Sequence, residues 1–176
     1  MTGTDVHIPT LETERLILRA YRLSDFETYA STLASARMVH VDRLDRHDAW
    51  FVFCNELAGW HLRGVGLFAV DRHDGTFVGT VGIQQPDHFP EPELGWTLHD
   101  GHEGRGYATE AARAVLAWAR DLARDRVASL VSYVAPANAA SIAVARRLGA
   151  TLDRAAPRPA GAAADDTHVY RHWGAA

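Results

Sequence analysis

Residues 93–123 read ELGWTLHDGHEGRGYATEAARAVLAWARDLA, and this stretch decides the fold that the sequence predicts. Polar and apolar side chains alternate over residues 93–98, which is the period of a strand with two different faces. Gly95, inside that strand, predicts a β-bulge. A glycine-rich turn follows at residues 99–106, and a helix is predicted to begin at residues 107–109. The unit is therefore a strand, a turn and a helix.

The predicted helix has two different faces. Its apolar face comprises Ala111, Val115, Trp118 and Leu122, and its opposite, largely basic face comprises Arg113, Ala117, Arg120 and Arg124. The apolar face should pack on a sheet, which directs the helix N-terminus into the glycine-rich turn. Gly101, Gly104 and Gly106 allow that turn backbone conformations closed to other residues. Unpaired amides and the positive end of the helix dipole then meet at one point, so we expect a phosphate to bind there.

Two other phosphate-binding loops fit this turn poorly. Gly101 and Gly106 have the spacing of a P-loop, but Tyr107 and Ala108 stand where Lys and Ser or Thr would be needed. A dinucleotide fingerprint fails because Thr109 replaces its last glycine, and the next predicted strand does not end in an acidic residue. The sequence therefore argues against a nucleotide-hydrolysing or dinucleotide-binding domain.

The segment EGRGYATEA at residues 103–111 closely resembles the coenzyme A loop of the GCN5-related N-acetyltransferases (GNAT). The resemblance is to the RimJ/RimL-like branch, which acetylates the N-termini of ribosomal proteins. The family pattern is Gln or Arg, two residues, Gly, one residue, then Gly or Ala, and Gly106 and Ala108 match it. Glu103 departs from the pattern, because it falls where Gln or Arg is usual.

Other segments extend the resemblance over about residues 10–173. They are the opening ETERLILR, an Asn-x-x-Ser helix start at Asn138 and Ser141, and the pair Leu148 and Gly149. The resemblance implies an α/β protein with one acetyltransferase domain over residues 1–176. Its mixed central sheet would be flanked by helices, and two strands, near residues 93–98 and 127–134, would splay apart at the acetyl-CoA site.

Local patterns predict the remaining elements. A helix starting at Asp45 carries many aromatic residues, which we interpret as core packing, with an aromatic wall for the acceptor as the alternative. The others are, in chain order, a strand within residues 10–21, a helix opened by a capping box of Ser24 and Glu27, a hairpin of residues 66–71 and 77–84, a loop at 85–92, a strand at 127–134, a helix from Asn138 to Leu148, a loop at 155–164 and a strand at 167–173.

Composition narrows the class of protein. The 18 basic residues, all of them Arg, against 22 acidic ones give a formal charge of −4, so nucleic acid is not an expected partner. The single cysteine, Cys54, excludes an internal disulfide and is predicted to lie in the core. There is no signal-like or membrane-spanning run. We expect a soluble, cytoplasmic protein.

The resemblance also implies where the acyl donor binds. Main-chain amides of Gly104, Arg105, Gly106, Tyr107, Ala108 and Thr109 would bind the pyrophosphate of acetyl-CoA, with the Arg105 side chain adding a charge-assisted contact. Amides of the opened strand at Trp96, Thr97 and Leu98 would hold the pantetheine arm and the acetyl carbonyl. Asn138 and Ser141 would complete the cofactor site, although Asn138 also suits a helix cap.

Acetyl transfer by direct attack in a ternary complex needs a group that deprotonates the amine and a group that donates to sulfur. Glu93 is the first candidate for the base, and His99 and His102 are the alternatives. The family's usual sulfur donor is a tyrosine, but Ala145 stands at its position. Ser141, one turn earlier on the same face, resembles the serine of the ribosomal-protein branch.

Two histidine pairs were considered as metal ligands. His99 and His102 lie beside acidic residues, and His168 and His172 share a strand face, but neither pair belongs to a Cys cluster or an HExxH motif, so no metal is expected. The sequence thus predicts an acetyl-CoA-dependent N-acetyltransferase for a primary amine, either a protein N-terminus or a small molecule. The alternative is a catalytically weak acyl-CoA-binding sensor. Similar proteins are commonly dimers, so a homodimer is possible.

Overall fold

The computed structural model describes residues 6–40, 42–122, 126–163 and 165–174. Within these residues the elements, in chain order, are β1 (Leu11–Glu12), β2 (Leu16–Arg19), a 3₁₀ turn (Leu23–Asp25), α1 (Phe26–Ala34), α2 (Arg46–Arg63), β3 (Leu67–Arg72), β4 (Phe77–Gln84), β5 (Glu93–Leu98), α3 (Tyr107–Leu122), β6 (Leu130–Val134), α4 (Ala139–Arg147), β7 (Thr151–Leu152) and β8 (His168–Trp173). The predicted α/β class is confirmed.

The described strands form one mixed sheet in the order β1-β2-β3-β4-β5-β6-β8-β7. Neighbouring strands are antiparallel except β5 and β6, which are parallel and paired only at Glu93 and Val131. On its other side, β5 pairs with β4 along its whole length, from Glu93 to Leu98. The sheet is therefore continuous from β1 to β5 and opens between β5 and β6.

Helices cover both faces of the sheet. The apolar face of α3 packs on one side, where Ala111 and Val115 are fully buried with Phe68 and Leu94 of the strands. Helices α1 and α2 cover the other side through an aromatic cluster that includes Phe26, Tyr29 and Phe53. The exposed face of α3 carries Arg113, Ala117 and Arg120, as predicted, while Arg124 lies outside the described residues.

Helix caps follow the predicted residues in two cases. The Asp45 carboxylate accepts a hydrogen bond from the amide of Asp48 at the start of α2, and Gly64 ends that helix in a left-handed conformation. The Asn138 side chain accepts from the Ser141 amide at 3.0 Å and so caps α4. Both predicted caps are confirmed.

Three local predictions are wrong. Gly95 lies in an unbroken register with Gly82, and the register shift falls between Val70 and Asp71 instead. The predicted first strand is two strands, β1 and β2, because the chain turns between the Thr13 amide and the Leu16 carbonyl, 2.9 Å apart. Ser24 lies within the 3₁₀ turn, and the carboxylate of Asp25 accepts the Arg22 amide in its place.

Cys54, which was predicted to lie in the core, is only partly buried. The predicted loop at residues 155–164 contains no helix or strand in its described part, which ends at residue 163. Strand β8 was predicted, but its antiparallel partner β7 was not, because the two residues of β7 are too few to show a strand period.

Candidate active site

Side chains hold the opening between β5 and β6. A main-chain bond between the two strands runs from the Val131 amide to the carbonyl of Pro92, at 3.1 Å. One step further, the Ser132 hydroxyl donates to the Leu94 carbonyl at 2.7 Å, and the Tyr133 amide donates to the carboxylate of Glu93 at 3.3 Å. Two side-chain hydrogen bonds thus replace the next rung of the ladder, and the strands diverge beyond it.

The divergence leaves main-chain groups of β5 facing a gap. Thr97 and Thr80 are partners in the antiparallel β4–β5 ladder, and the next bond in this alternation joins the His99 amide to the Val78 carbonyl. Because main-chain groups alternate sides along a strand, the amides of Trp96 and Leu98 point toward β6. Of the three strand residues predicted to bind the acyl donor, Trp96 and Leu98 therefore offer amides to the gap, whereas the amide of Thr97 points to β4.

The glycine-rich turn joins the end of β5 to the start of α3. Gly101, Gly104 and Gly106 have φ angles of 79°, 73° and 82°, which other residues rarely adopt. The Glu110 amide donates to the Gly106 carbonyl at 3.0 Å, as the first bond of the helix. Amides 107–109 precede that bond and have no carbonyl one turn earlier. The turn and the helix N-terminus therefore form the anion-binding geometry that the sequence predicts.

Arg15, which immediately precedes β2, forms several contacts with this turn. Its guanidinium donates to the Arg105 carbonyl at 3.0 Å and to the carboxylate of Glu110 at 2.7 Å, and it lies 5.0 Å from the ring centre of Tyr107. A Cβ atom added at Gly106 would lie 3.4 Å from the same guanidinium. The backbone of the turn is thus fixed before any ligand arrives.

Arg37 offsets the negative charges of the two carboxylates in the turn. It forms ion pairs with Glu103 and, at 3.3 Å, with Asp100, and it donates to the Leu98 carbonyl at 2.8 Å. Two unpaired acids beside an anion site would repel a phosphate. The ion pair explains how Glu103 can stand where the family usually has Gln or Arg.

A cavity of about 230 Å³ lies beside the opening, between the sheet and helices α1 and α2. Its sheet wall comprises Thr80, Gln84, Glu93, Gly95 and Thr97, its helical wall Tyr29, Thr32 and Glu56, and its end near β6 and α4 Ser132, Tyr133, Asn138 and Ser141, with His99 and Trp96 also lining it. The cavity therefore brings together Glu93, Trp96, Thr97, Asn138 and Ser141 of the predicted site. Leu98 and residues 104–109 lie beyond it, at the glycine-rich turn.

Glu93 is a buried carboxylate at the mouth of the strand opening, with 9 % of its surface exposed. Its two oxygens accept from the Gln84 amide group at 2.8 Å and from the Tyr133 main-chain amide at 3.3 Å. Burial raises the pKa of Glu93, and these two hydrogen bonds offset only part of that effect. Gly95 adds no side chain next to it, so the carboxylate is accessible from the cavity.

Ser141 faces the cavity from the first turn of α4. Its hydroxyl accepts a hydrogen bond from the Trp96 indole at 3.3 Å, which links α4 to β5 across the opening. Ala145, one turn later, is fully buried against Val134 and Tyr170, where a phenol would not fit. Ser141 is therefore the hydroxyl that this helix presents to the opening.

His99 also lines the cavity, but its hydrogen bonding and its pKa differ from those of an exposed histidine. The Thr32 hydroxyl donates to the Thr28 carbonyl and lies 2.7 Å from His99 Nδ1, so Nδ1 carries the hydrogen and donates to Thr32. The other ring nitrogen, Nε2, is buried and has no partner among the described residues. Burial, with the charges of His102 and Arg37, lowers the pKa of His99 to about 4. At neutral pH it is an uncharged hydrogen-bond acceptor.

The cavity residues that sequence reasoning missed include Glu56 and Tyr133. Glu56 accepts hydrogen bonds from the phenols of Tyr21 and Tyr29, and burial raises its pKa to about 7. The phenol oxygen of Tyr133 is buried without a partner in the described part of the chain, and burial raises its pKa to about 12. A signal for Glu56 exists in the sequence, because it lies three residues after Phe53 on the buried face of α2.

The remaining features considered in the sequence are a second histidine, a metal site and a membrane-spanning helix. His102 is partly buried in the turn, and burial together with the charges of Arg105 and Arg72 lowers its pKa. Among the residues that the structure describes, no group of three His, Cys, Asp or Glu side chains could hold a metal ion. No described helix is both long and apolar enough to span a membrane.

A parallel pair of strands that opens above an anion-binding turn and a buried carboxylate is the arrangement of an acyl-coenzyme A-dependent acyltransferase. The chain belongs to the GNAT acetyltransferase family, whose acetyltransferase (GNAT) domain model matches residues 15–151. It is therefore an acetyl-CoA-dependent N-acetyltransferase, and the family and enzyme class predicted from the sequence are confirmed.

Three relatives illustrate the range of similarity. An acetyltransferase from Agrobacterium tumefaciens str. C58, whose crystal structure has been solved, is 46% identical in sequence to this chain. The superposition covers 94% of each chain and has a TM-score of 0.87. The uncharacterized protein YkkB of Bacillus subtilis (strain 168) is 35% identical over 102 residues, which is 53% of this chain and 58% of YkkB. RimL, a ribosomal L7/L12 α-N-protein acetyltransferase solved with coenzyme A, shares the fold at 19% identity, with a TM-score of 0.70 over 93% of this chain and 97% of that one.

Proposed function

We propose that the opening between β5 and β6 binds acetyl-CoA and that the adjoining cavity binds a primary amine, which attacks the thioester directly. The observation that carries this proposal is the position of Glu93. Glu93 stands on β5 where the two strands part, its carboxylate accepts a hydrogen bond from the Tyr133 amide of β6, and it also lines the cavity. A base at that point is next to both reactants.

In this proposal the acyl donor is held mainly by main-chain groups. Amides of residues 104–109 bind the pyrophosphate, the amides of Trp96 and Leu98 bind the pantetheine arm and the acetyl carbonyl, and Arg105 adds a charge. The RimL structure was solved with coenzyme A, and its shared fold supports the same assignment here. The Thr97 side chain faces the acceptor cavity, so its contact is with the acceptor end of the reaction.

Glu93 removes a proton from the acceptor ammonium, directly or through water. Its raised pKa makes it a stronger base than an exposed glutamate. The amine nitrogen then forms a bond to the acetyl carbon, and the developing oxyanion is stabilised by a strand amide. Gly95 leaves room for the amine beside the carboxylate.

The carbon–sulfur bond breaks in the second half of the reaction. Ser141 donates its hydroxyl proton to the departing thiolate. The second proton, which the nitrogen loses as the amide forms, restores the Ser141 hydroxyl through solvent, and Glu93 releases the first proton to solvent. The products are the N-acetylated amine and free coenzyme A. The Trp96 indole donates to the same hydroxyl oxygen, which orients the hydroxyl and makes it more acidic.

Thiol release from acetyl-CoA with a panel of amines and peptide N-termini tests the proposal. The expected result is stoichiometric thiol release and acetylated amine, detected by mass spectrometry, with at least one acceptor. Binding of acetyl-CoA without turnover on any amine would contradict the transferase proposal and favour a sensor. Inclusion of the ribosomal-protein N-terminal peptides decides whether the acceptor is that of the RimL-like branch.

A further inference from the structure

The helical wall of the cavity carries a second carboxylate that the proposed acetyl transfer does not use. Glu56 extends from α2, and the phenols of Tyr21 and Tyr29 donate to its two oxygens at 2.7 and 2.9 Å. Those hydrogen bonds hold the carboxylate in one orientation and leave further lone pairs on each oxygen. Glu56 also lines the cavity, as Glu93 does, so the two carboxylates face the same space.

Among the described residues, neither carboxylate has a cationic partner. The ion pairs of the described residues use the acids Glu27, Asp25, Asp71, Asp74, Glu91, Asp100, Glu103, Glu110 and Asp153, and none of these pairs includes Glu56 or Glu93. Paired acids elsewhere include Glu91, which two nitrogens of Arg171 contact at 2.8 and 2.9 Å. Glu93 is buried and Glu56 is partly buried, so without a cationic partner both favour the protonated form, and a bound cation would stabilise the ionised form.

A second, independent feature of the cavity is a buried hydrogen-bond acceptor without a donor, the Nε2 atom of His99. His99 is 4% exposed, and its Nε2 lone pair has no partner among the described residues. Its other nitrogen donates to Thr32, so the ring cannot rotate its proton into the cavity without breaking that bond. The cavity thus offers the Glu56 carboxylate on its helical wall and a neutral acceptor on His99, which directly follows β5, and this pair is the complement of an ammonium group.

The dimensions of the cavity separate this wall from the reaction centre. Thr80 and Gln84 both line it and are four residues apart on β4, which corresponds to about 13 Å along a strand. Glu93 is opposite Gln84 at one end. The Tyr21 phenol that holds Glu56 lies beside the Thr80 hydroxyl, toward the other end.

We propose that Glu56 and His99 bind a second ammonium group of the acceptor, so that the acceptor is a small diamine whose other amine meets Glu93. The inference rests on the proposed acetyl transfer. Tyr21 and Tyr29 are positioning residues, because they contact the carboxylate and not the reacting atoms. The acceptor's carbon chain lies along the cavity, between the two carboxylates.

The test compares diamines with monoamines of the same chain length. Putrescine, cadaverine and hexamethylenediamine are set against butylamine, pentylamine and hexylamine, with the wild-type enzyme, Glu56→Gln and Glu27→Gln. Glu27 is the matched control, because it is an exposed glutamate on α1 and outside the cavity. The readouts are kcat/KM for acetylation and, separately, calorimetric binding of each amine to the protein loaded with coenzyme A.

The wild-type enzyme should prefer the best diamine over its monoamine by about 10- to 100-fold, which is the contribution of one charge-assisted hydrogen bond. Glu56→Gln should lower kcat/KM for the diamine at least about tenfold more than for the monoamine and so abolish that preference, while Glu27→Gln should behave as wild type. A wild-type enzyme that does not prefer any diamine, or a Glu56→Gln variant that loses diamine and monoamine equally, would overturn the inference.

The two readouts separate this inference from the proposed function. If no amine is acetylated, the acetyl-transfer proposal fails, but calorimetry still shows whether diamines bind more tightly than monoamines. If acetylation occurs without a preference for diamines, only the inference fails. The wild-type comparison needs no variant, so the result stands even if Glu56→Gln does not fold.

Discussion

The carboxylate of Glu93, on β5, accepts a hydrogen bond from the main-chain amide of Tyr133, on β6, over 3.3 Å. The bond takes the place of a rung between parallel strands, at the residue where the strands begin to diverge. One side chain thus shapes the opening between the strands and presents a carboxylate to the cavity. In the proposed function, the geometry of acyl-donor binding and the chemistry of transfer are therefore coupled at this position.

Glu93→Gln should lower kcat by about 10²- to 10⁴-fold, the usual contribution of a general base. Glutamine keeps an oxygen for the Tyr133 amide, so acetyl-CoA affinity should change little. Because burial raises the pKa of Glu93, wild-type kcat should fall as the pH drops through that raised value, and the variant should lack this acid limb. Equal rates for both enzymes at every pH would remove Glu93 from the mechanism; acetyl-CoA calorimetry is the control.

Ser141→Ala should slow the departure of the thiolate and reduce turnover by about tenfold or more, since it removes the proposed proton donor to sulfur. The Ser141 amide still donates to Asn138, so the cap of α4 and the melting temperature should be preserved. Steady-state thiol release measures the effect. Unchanged turnover would leave Ser141 with its helix-start role alone.

Gly106→Val should weaken acetyl-CoA binding strongly, because a side chain at φ 82° strains the turn and its Cβ would contact the guanidinium of Arg15. Gly161→Val is the matched control. Gly161 has a φ of 88° with open space around its Cβ, far along the chain from the turn, so it should cost stability without lowering affinity. Calorimetric titration of both variants tests this, and undiminished affinity in Gly106→Val would contradict the proposed loop.

The pH dependence of stability should reveal Glu56. Burial raises its pKa from 4.5 to about 7, so the folded state keeps its proton where the unfolded state has lost it. The stabilisation is full below pH 4.5 and is lost as the pH rises to 7, on the order of 2 to 3 kcal/mol. Urea unfolding at about pH 5 and about pH 8 should show this loss in the wild type relative to Glu56→Gln. A pH-independent difference between the two proteins would show that the Glu56 pKa is not raised.

The sequence predicted the elements whose cause is local. Alternation predicted β5, the apolar face of α3 predicted its packing on the sheet, and Asp45 and Asn138 marked helix starts through their own hydrogen bonds. The glycine-rich turn was predictable for the same reason, since the positive φ angles need glycine whatever surrounds them.

Features that depend on distant residues were not predictable. The break between β1 and β2 is stabilised by the Glu110 carboxylate, which accepts from the Thr13 hydroxyl and the Arg15 amide nearly 100 residues earlier in the chain. Gly95 suggested a bulge, but its role is to leave space beside Glu93, which no strand pattern shows. The Glu56 site joins α1, α2 and the segment after β2, so only the folded chain shows that its carboxylate meets two phenols.

The most direct test of the central claim is a crystal structure of the protein with coenzyme A. The account predicts that the diphosphate lies within hydrogen-bonding distance of the amides of residues 104–109 and that the pantetheine arm enters the gap between β5 and β6, with its sulfur near Glu93 and Ser141. A diphosphate bound anywhere else, with the strand gap empty, would contradict it.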